Sequence, residues 1–378
     1  MSLSFRLSFF YGMFFLYVGM YVAYFPAYLD WRGLGAAEIA WVIALPAFVR
    51  CFAPVAWGWV ADRSGWQRGI VVFSCAVNTA CFALMPFTPG FAAIAWLIAA
   101  SSAFAAAAMP LVETITLGAL AGRADTHLGG YGPIRLWGSL GFIVAVLGGG
   151  AWLDWSSVEV LPAALALCSV LCMAAALRLP AGARHAGQQA APLVVSRAAQ
   201  LVLAAGFCMS VAHGALYAFF TLHLQREGYS GAAIGLFWTA GVLGEIAVFF
   251  YLPALFRRFA LSAILVASFA CAVLRFLAIG WLAALPLVLL AAQLLHAATF
   301  GSFHAASVAA IHRAFPAAAH ARGQTLFSSI CYGAGAAVGT LLAGWAWETA
   351  GPGLAFSISS GIALTGLLLA HTLKRAGL

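Results

Sequence analysis

The sequence contains very few charged residues. Only 7% of its 378 residues are Asp, Glu, Lys or Arg, whereas 65% are hydrophobic and the mean hydropathy is +1.01. In an average soluble domain about a quarter of the residues are charged. The shortage of charge therefore excludes an ordinary soluble domain and indicates a protein that crosses a membrane many times.

The chain also lacks the patterns that mark most enzymes. It has no phosphate-binding glycine loop, no dinucleotide-binding loop and no His–Asp pair of the H-x-x-x-x-D type, and its 10 acidic residues are scattered. An intramembrane enzyme, for example an acyl- or glycosyltransferase, would need such a cluster of reactive groups. We therefore predict that the protein is not an enzyme, and we expect no cofactor and no bound metal.

Cysteine is present but without a functional pattern. All eight cysteines fall in apolar segments, and Cys168 and Cys172 stand one helical turn apart. No spacing matches a zinc site, and no disulfide framework is implied. We interpret the cysteines as small hydrophobic residues packed inside helices.

Long apolar runs occupy most of the chain. A helix needs about 20 such residues to cross a bilayer, so the length leaves room for about twelve spans. The first run shows no convincing cleavage site, and we expect an uncleaved span there, not a signal peptide. The predicted spans are 7–29, 39–61, 69–87, 91–118, 134–153, 160–179, 198–222, 232–254, 261–283, 285–311, 324–347 and 353–373.

Positive charge exceeds negative charge, with a net charge of +8, and its distribution argues against a nucleic-acid partner. Only Arg32 and Arg226 fall in the loops on one side of the predicted topology. Because basic residues mark cytoplasmic loops, both termini should be cytoplasmic, in a multi-pass inner (plasma) membrane protein. The fourteen basic residues on the other side are Arg6, Arg63, Arg68, Arg123, Arg135, Arg178, Arg184, Arg197, Arg257, Arg258, Arg313, Arg322, Lys374 and Arg375.

One polar interruption divides the chain. Residues 180–197 are rich in Ala, Gly and Gln, basic and free of acidic residues. They separate a first half, 1–179, from a second half, 198–378, with six predicted spans in each. This layout is typical of a duplicated transporter whose parallel repeats are joined by a cytoplasmic linker.

Two charged positions hint at internal symmetry between the halves. Arg50 stands in span 2, twelve residues before Asp62 in the following loop, and Glu245 stands in span 8, twelve residues before Arg257. Twelve residues of helix correspond to about 18 Å, so both side chains should lie deep in the membrane.

The loop after span 2 carries a compact motif, GWVADRSGWQR. Asp62 can accept hydrogen bonds from helix N-termini, while Arg63 and Arg68 are cytoplasmic anchors. Gly58 and Gly65 are predicted to allow close packing and a sharp turn.

The motif resembles the G-x-x-x-D-R-x-G-R-R loop of the major facilitator superfamily, from which Trp66 and Gln67 depart. Further segments are similar to the phenylpropionate permease family, a relative of lactose permease. The resemblance implies the major facilitator fold, with twelve transmembrane helices in two pseudo-symmetric six-helix bundles around a central cavity. The similar segments are PLVE (110–113), YGPIRLWGS (131–139), GYSGAAIGLFWTAGVLGEI (228–246), VLRF (273–276) and QLLHAATFGSFHAA (293–306).

The resemblance also implies roles for single residues. Glu113 and Arg135 match the carboxylate and guanidinium that bind substrate in lactose permease, and Phe142 falls where that protein places a tryptophan under the sugar ring. Together with Arg50, these residues are the first candidates for substrate binding.

Glu245, Arg275 and His296 match the acid, arginine and histidine that couple substrate to protons in lactose permease. The proton-binding glutamate of the relative is replaced by Thr299, so Glu245, His296 or His304 would have to carry the proton. Facilitated uniport therefore remains an alternative.

The same residues are informative without the resemblance. A charged side chain at mid-bilayer costs roughly 2.5–3.5 kcal/mol even on insertion scales. Arg275 cannot lose its charge, so it needs a partner such as Glu245. A static ion pair between spans 8 and 9 is the structural alternative, whereas His296 and the further candidate His213 can titrate near neutral pH.

Arginines outnumber intramembrane carboxylates, which suggests an anionic substrate. Aromatic side chains crowd spans 1, 7 and 8, and Tyr217 and Trp238 are predicted to stack against a substrate ring. We expect a monomeric transporter that contacts membrane lipid and moves a small molecule with protons. An aryl carboxylate similar to phenylpropionate fits best, and a sugar, oligosaccharide or nucleoside is the alternative, ahead of drug efflux.

Overall fold

The computed structural model describes residues 2–121, 131–181, 195–316 and 319–373. Every regular element in these ranges is helical, as predicted. Most of the 180–197 linker, and four of the predicted cytoplasmic basic residues, lie outside the described residues. These four are Arg123, Arg184, Lys374 and Arg375.

The helices follow the predicted spans closely. The first-half helices are α1 (Leu3–Trp31), α2 (Ala36–Arg50), α3 (Ala53–Ser64), α4 (Gln67–Leu84), α5 (Gly90–Ala105), α6 (Ala108–Ala121), α7 (Tyr131–Leu153) and α8 (Leu161–Ala176). The later helices are α9 (Arg197–Ala212), α10 (Gly214–Arg226), α11 (Gly231–Arg258), α12 (Leu261–Leu282), α13 (Pro286–Leu294), α14 (Phe303–Ala314), α15 (His320–Phe327) and α16 (Ala336–Leu373).

Ten helical stretches among the described residues are long and apolar enough to cross a membrane. The number rises to eleven if α2 and α3, which meet at a 41° bend, form one broken span. The last stretch has 52 residues, and its helix breaks at Ala350 and Gly351. The all-helical, multi-span prediction is confirmed, while the exact number of twelve stays a prediction.

The helices pack into two compact units. Unit 1 contains the described residues of 2–34, 52–181 and 230–235. In it α1 packs against α7 and α8, and α4 packs against α8. The α1–α7 contact depends on small residues, because a Cβ atom added at Gly141 would overlap the backbone of Gly12. Such contacts bring membrane helices close together.

A buried amide fixes the helices of unit 1 relative to one another. Asn78 of α4 donates to the Ser169 hydroxyl of α8 and accepts from Ser101 of α5. The Tyr17 hydroxyl of α1 lies 3.4 Å from the same Asn78 oxygen. Four helices thus share one hydrogen-bond network, which is more directional than apolar contact alone.

Unit 2 contains residues 35–51 together with the described residues of 189–229 and 236–373. Helix α2 therefore packs with the later helices, and a Cβ atom at Gly344 of α16 would contact Ala40. The predicted division into 1–179 and 198–378 stays a prediction, but this packing has a direct consequence. It places Arg50 in the same unit as Glu245 and Arg275.

Besides the break at Ala350 and Gly351, three further helical irregularities lie among the described residues of unit 2. The helix is interrupted at His213 between α9 and α10, and π-helical turns span Ala297–Ser302 and Ser328–Gly335. The sequence predicted continuous spans at all three places. Because π-turns inside helices are frequently found at functional sites, these segments direct attention to the side chains they carry.

Candidate functional site

Arg275 is a buried cation surrounded by neutral hydrogen-bond acceptors. It lies in α12 and is only 1% exposed. Its Nη1 donates to Thr299 Oγ1 at 3.0 Å and to His296 Nδ1 at 3.1 Å, and His213 Nε2 lies 3.5 Å away. Its Nη2 donates to Gln293 Oε1 at 3.1 Å. The helix break at His213 and the π-turn at Thr299 thus both lie at this guanidinium.

The hydrogen bonds define which ring nitrogen of each histidine carries the proton. His213 Nδ1 lies 2.8 Å from the carbonyl oxygen of Met209, which can only accept, so this nitrogen carries the proton. The other ring nitrogen of His213 is then an acceptor toward Arg275. In the same way, the N–H of Arg275 makes His296 Nδ1 an acceptor and places the ring proton on Nε2. Both imidazoles therefore fit this arrangement in the neutral form.

His296 also contacts the carboxylate of Glu245. The two side chains approach to 3.8 Å between His296 Nε2 and Glu245 Oε2, and they are 12% and 20% exposed. The sequence predicted Glu245 as a partner of Arg275, and the structure places the His296 ring between them. Acid, imidazole and guanidinium thus form a chain in which the middle member can bind or release a proton.

Two buried donors of this network remain without a hydrogen-bond partner among the described residues. They are Arg275 Nε and Gln293 Nε2. An unsatisfied buried donor costs roughly 1–3 kcal/mol. Rearrangement of the side chains around Arg275 could recover that cost, which favours a network with more than one arrangement.

Arg50 is a second cation of unit 2, with different surroundings. It ends α2, is exposed, and makes no hydrogen bond or ion pair with any described residue. The hydroxyls of Tyr217 and Tyr332 lie within electrostatic reach of its guanidinium. Because no described carboxylate pairs with Arg50, its planar donor fork is available to an anion.

The two tyrosines connect Arg50 to the acidic end of the first network. Tyr217 and Tyr332 both interact electrostatically with Glu245 as well as with Arg50. The Tyr332 hydroxyl also shares a hydrogen bond of 2.7 Å with Nδ1 of the predicted site residue His304. The structure thus brings most of the predicted proton-coupling residues and Arg50 into one electrostatic cluster.

Three stacked rings line the helix next to this cluster. The ring centroids of His296 and Phe300 lie 5.2 Å apart, and those of Phe300 and His304 lie 6.2 Å apart. The interplanar angles are 16° and 11°, so the rings form a ladder along the π-turn and the start of α14. Such a ladder offers an aromatic surface whose two ends are polar.

In unit 1 the predicted pair Glu113 and Arg135 lies close enough to interact electrostatically. The Tyr131 hydroxyl is 3.4 Å from Glu113 Oε1. The Arg135 guanidinium packs 4.3 Å above the Phe15 ring, a cation–π contact. Both charged side chains are partly buried, so this group can hold a polar ligand or pair internally.

The predicted aromatic residues Phe142 and Trp238 occupy packed positions. Trp238 is 6% exposed, and its indole N–H donates to Thr221 Oγ1 at 3.2 Å. Phe142 lies on α7, where its backbone contacts the position of Gly19 in α1. These contacts are structural, and a role for either ring in substrate stacking stays a prediction.

The loop motif contains one expected feature and two differences from expectation. Gly65 has φ +66° and makes the sharp turn before α4. Gly58, predicted to allow close packing, instead faces open space, with no described atom beyond its chain neighbours and its own helix backbone within 4 Å of its Cβ position. Asp62 is exposed and accepts no hydrogen bond from the described residues, which differs from the expected helix cap.

The arginines of the motif have distinct contacts. Arg63 stacks 4.0 Å above the Trp59 ring. Arg68 donates through Nη1 to the carbonyl oxygen of Leu179 at 3.3 Å, just after α8. Neither forms an ion pair with a described carboxylate.

Sequence reasoning missed Gln293 and Phe300, and it named His213 only as a further candidate. The available signals were weak. Gln293 is an amide in an apolar run three residues before His296, on the same helical face. From the sequence alone, Phe300 is indistinguishable from an ordinary packing residue. The structure shows its ring stacked between those of His296 and His304.

The chain matches one family model and is similar to two curated proteins named as transporters. The model of the MFS_1 like family matches residues 4–358. The chain is 29% identical over 247 residues to the probable 3-phenylpropionic acid transporter of Escherichia coli (strain K12), covering 63% of this chain and 64% of that protein. It is 32% identical over 234 residues to maltose permease of Geobacillus stearothermophilus, covering 60% and 58%. The chain thus spans about three-fifths of the length of these curated relatives.

Solved structures share the fold at low sequence identity. The nucleoside transporter NupG superposes with a TM-score of 0.84 at 18% identity, covering 99% of this chain and 100% of that chain. A variant of the peptide transporter POT gives a TM-score of 0.79 at 15% identity, covering 98% and 94%. At such identities the similarity establishes the fold alone.

Proposed function

The chain belongs to the MFS_1 like family, a transporter family, and we propose that it carries a small aryl carboxylate across the inner membrane together with a proton. The observation that carries this proposal is the chain of Glu245, His296 and Arg275 inside unit 2. A buried arginine with neutral partners and a nearby imidazole–carboxylate pair is costly in a membrane. Such groups therefore mark functional sites. In this proposal transport proceeds by alternating access, in the direction of uptake.

The proton binds to the His296–Glu245 pair. His296 Nδ1 is the acceptor for Arg275, so a proton on that nitrogen would place two cations 3.1 Å apart. Protonation of His296 must therefore move Arg275 away from this nitrogen, and Thr299, His213 and Gln293 are its remaining acceptors. Proton binding is thereby converted into movement of a side chain, although Thr299 replaces the carboxylate of lactose permease.

The substrate carboxylate binds to Arg50. This guanidinium is exposed, has no described carboxylate partner, and has two tyrosine hydroxyls nearby that can add hydrogen bonds. The ring ladder ends at His304, which is hydrogen-bonded to Tyr332 beside Arg50. A carboxylate on Arg50 with its aromatic ring on Phe300 or His304 would use both features. The name of the Escherichia coli relative agrees with such a substrate.

A proton-coupled sugar or nucleoside symporter is the second candidate. It is favoured by Glu113, Tyr131 and Arg135, which place hydroxyl-binding groups together in unit 1. The names of maltose permease and of the nucleoside transporter NupG are in line with this alternative.

We further propose that the protein works as a monomer with both termini in the cytoplasm. The distribution of basic residues supports this orientation. Cysteines placed singly at Gln188 and Ser230, in a background without native cysteines, test it. An impermeant thiol reagent added to intact cells should label position 230 and spare position 188, and the opposite pattern would invert the topology.

Proteoliposomes with an imposed proton gradient test transport and coupling. Wild type should accumulate phenylpropionate, whereas Glu245→Gln should lose accumulation and keep exchange down the substrate gradient. The matched control is Glu227→Gln, which removes a carboxylate that lies beside His223, outside the network. Full accumulation by Glu245→Gln would contradict the coupling. Equal competition by the neutral amide of phenylpropionate would favour the sugar or nucleoside alternative.

A further inference from the structure

A cavity of about 440 Å³ lies at the N-terminal end of α4 in unit 1. It is formed by the loop before α4, the first turns of α4 and the residues that follow α8. None of its lining residues belongs to the Arg275 network or to the Glu113–Arg135 group. The cavity therefore needs an explanation apart from substrate and protons.

The walls of the cavity are apolar and open to the surroundings. Trp66, Phe73 and Leu177 line it and are 64%, 50% and 59% exposed. Large apolar side chains on the outside of a membrane protein are in contact with lipid, and tryptophan prefers the interface between headgroups and chains. The walls thus suit an acyl chain better than a soluble metabolite.

Among the described residues that line the cavity, Arg68 is the one charged residue and none is acidic. Arg68 is exposed on the first turn of α4, and one of its N–H groups donates to Leu179, which leaves the other donors available. The N-terminus of a helix adds free backbone N–H groups and a partial positive charge. At the same end, Arg6 donates to the carbonyl oxygen of Arg178. This rim therefore attracts anions.

The position of Trp66 depends on a glycine. A Cβ atom at Gly69 would collide with the indole ring, so only glycine lets the ring fold over the first turn of α4. Trp66 is also where this chain departs from the basic pattern of the loop motif. The aromatic wall is therefore a feature of this sequence.

We propose that this cavity binds an anionic phospholipid. The lipid phosphate contacts Arg68 and the start of α4, and the acyl chain lies along Val72, Phe73 and Leu177. The arrangement follows the charge and polarity of the cavity and does not depend on which solute the protein carries. A bound lipid would connect the loop between α3 and α4 to the end of α8.

Lipid binding to the purified, delipidated full-length protein tests the proposal by native mass spectrometry. Dioleoyl phosphatidylglycerol should bind, and Arg68→Gln should weaken binding by about tenfold or more because a charge-assisted contact is lost. The matched control is Arg63→Gln, which makes the same change five residues earlier, where the side chain stacks on Trp59 and does not line the cavity. Ala76→Phe should weaken binding without a change in charge, because Ala76 lines the cavity and is exposed.

The comparison ligands separate the sources of affinity. Dioleoyl phosphatidylcholine has the same chains without net negative charge and should bind at least several-fold more weakly. Inorganic phosphate should not displace phosphatidylglycerol at comparable concentration. Equal binding of the two lipids would mean that the cavity takes up any surrounding lipid without selecting for charge. Displacement by phosphate would indicate a site for anions in general. Equal effects of Arg68→Gln and Arg63→Gln would mean that only the general positive field matters, and each of these results would overturn the proposal.

Discussion

Arg135 in unit 1 and Arg275 in unit 2 are both guanidiniums within predicted spans, but their neighbours differ. Arg135 is partly buried, stacks on Phe15 and lies within electrostatic reach of a carboxylate, Glu113. Arg275 is almost fully buried, and its described hydrogen-bond partners are all neutral groups. The first arrangement balances charge. The second satisfies only the Nη N–H groups of Arg275, and the carboxylate that could balance its charge, Glu245, lies on the far side of His296.

This difference determines which arginine can respond to a proton. A carboxylate beside a cation forms a pair that persists unless one member leaves, and breaking a buried pair costs roughly 3–5 kcal/mol. An imidazole partner accepts from the arginine only while its nitrogen is free, so one proton changes it from acceptor to repelling neighbour. Unit 2 is therefore the part of the molecule in which we expect pH to change the arrangement of side chains.

The largest effect should come from Arg275→Lys. Lysine keeps the charge but offers one ammonium, which cannot replace Nη1 at His296 and Thr299 and also Nη2 at Gln293. We expect proton-driven accumulation in proteoliposomes to fall by about a hundredfold, in line with the loss of two charge-assisted hydrogen bonds.

The matched variant is Arg135→Lys, whose side chain has no described bidentate contact to lose. It should lower the same proton-driven accumulation by about threefold or less, as expected for a change of less than 1 kcal/mol. Similar losses in the two variants would show that the two arginines are used alike, and the comparison between the units would fail.

Substitution of Thr299 can make unit 2 resemble unit 1. Thr299 Oγ1 lies 3.0 Å from Arg275, so Thr299→Glu would give the guanidinium a direct carboxylate partner. The His296→Gln variant should lose coupled uptake in the wild-type background and regain a measurable part of it together with Thr299→Glu. The ratio of uptake at two external pH values, measured in all four proteins of the cycle, gives the coupling between the sites.

Thr299→Gln is the control for that experiment, because it introduces a side chain of the same length without the charge. Rescue by glutamine as well as by glutamate would mean that size, not charge, restores the site. No rescue by glutamate would indicate that His296 does more than link Arg275 to Glu245.

The sequence predicted the parts of the fold that depend on composition and periodicity. Long apolar runs gave span positions close to the observed helices, such as 134–153 beside Tyr131–Leu153. The rare intramembrane charges identified Glu245, Arg275 and His296 because their cost in lipid makes them conspicuous. Neutral participants such as Gln293 carry a smaller cost, so their sequence signal is weak.

Tertiary packing was also beyond sequence reasoning. Helix α2 belongs to the first half of the chain but packs with α16 of unit 2, through small residues such as Ala40 and Gly344. Small residues permit contact without specifying the partner helix. The π-turn at Ala297–Ser302 likewise depends on the tertiary environment, since its sequence reads as an ordinary apolar helix.

The smallest expected difference compares single hydroxyls in the two units. Thr299→Val removes an acceptor from a buried guanidinium, and the N–H left behind should cost about 1–3 kcal/mol of stability. Tyr131→Phe removes a hydroxyl 3.4 Å from Glu113 Oε1, longer than a normal hydrogen bond, in a partly buried group where the carboxylate keeps Arg135 nearby. That loss should be below about 1 kcal/mol. The melting temperatures of both variants, purified in the same detergent, measure the two effects, with Thr365→Val, an exposed hydroxyl on the last helix, as the control for removing a threonine hydroxyl. If Tyr131→Phe lowers the melting temperature as much as Thr299→Val, the hydroxyl near the carboxylate matters as much as the one near the arginine, and the contrast between a balanced pair and a neutral-partner site does not hold.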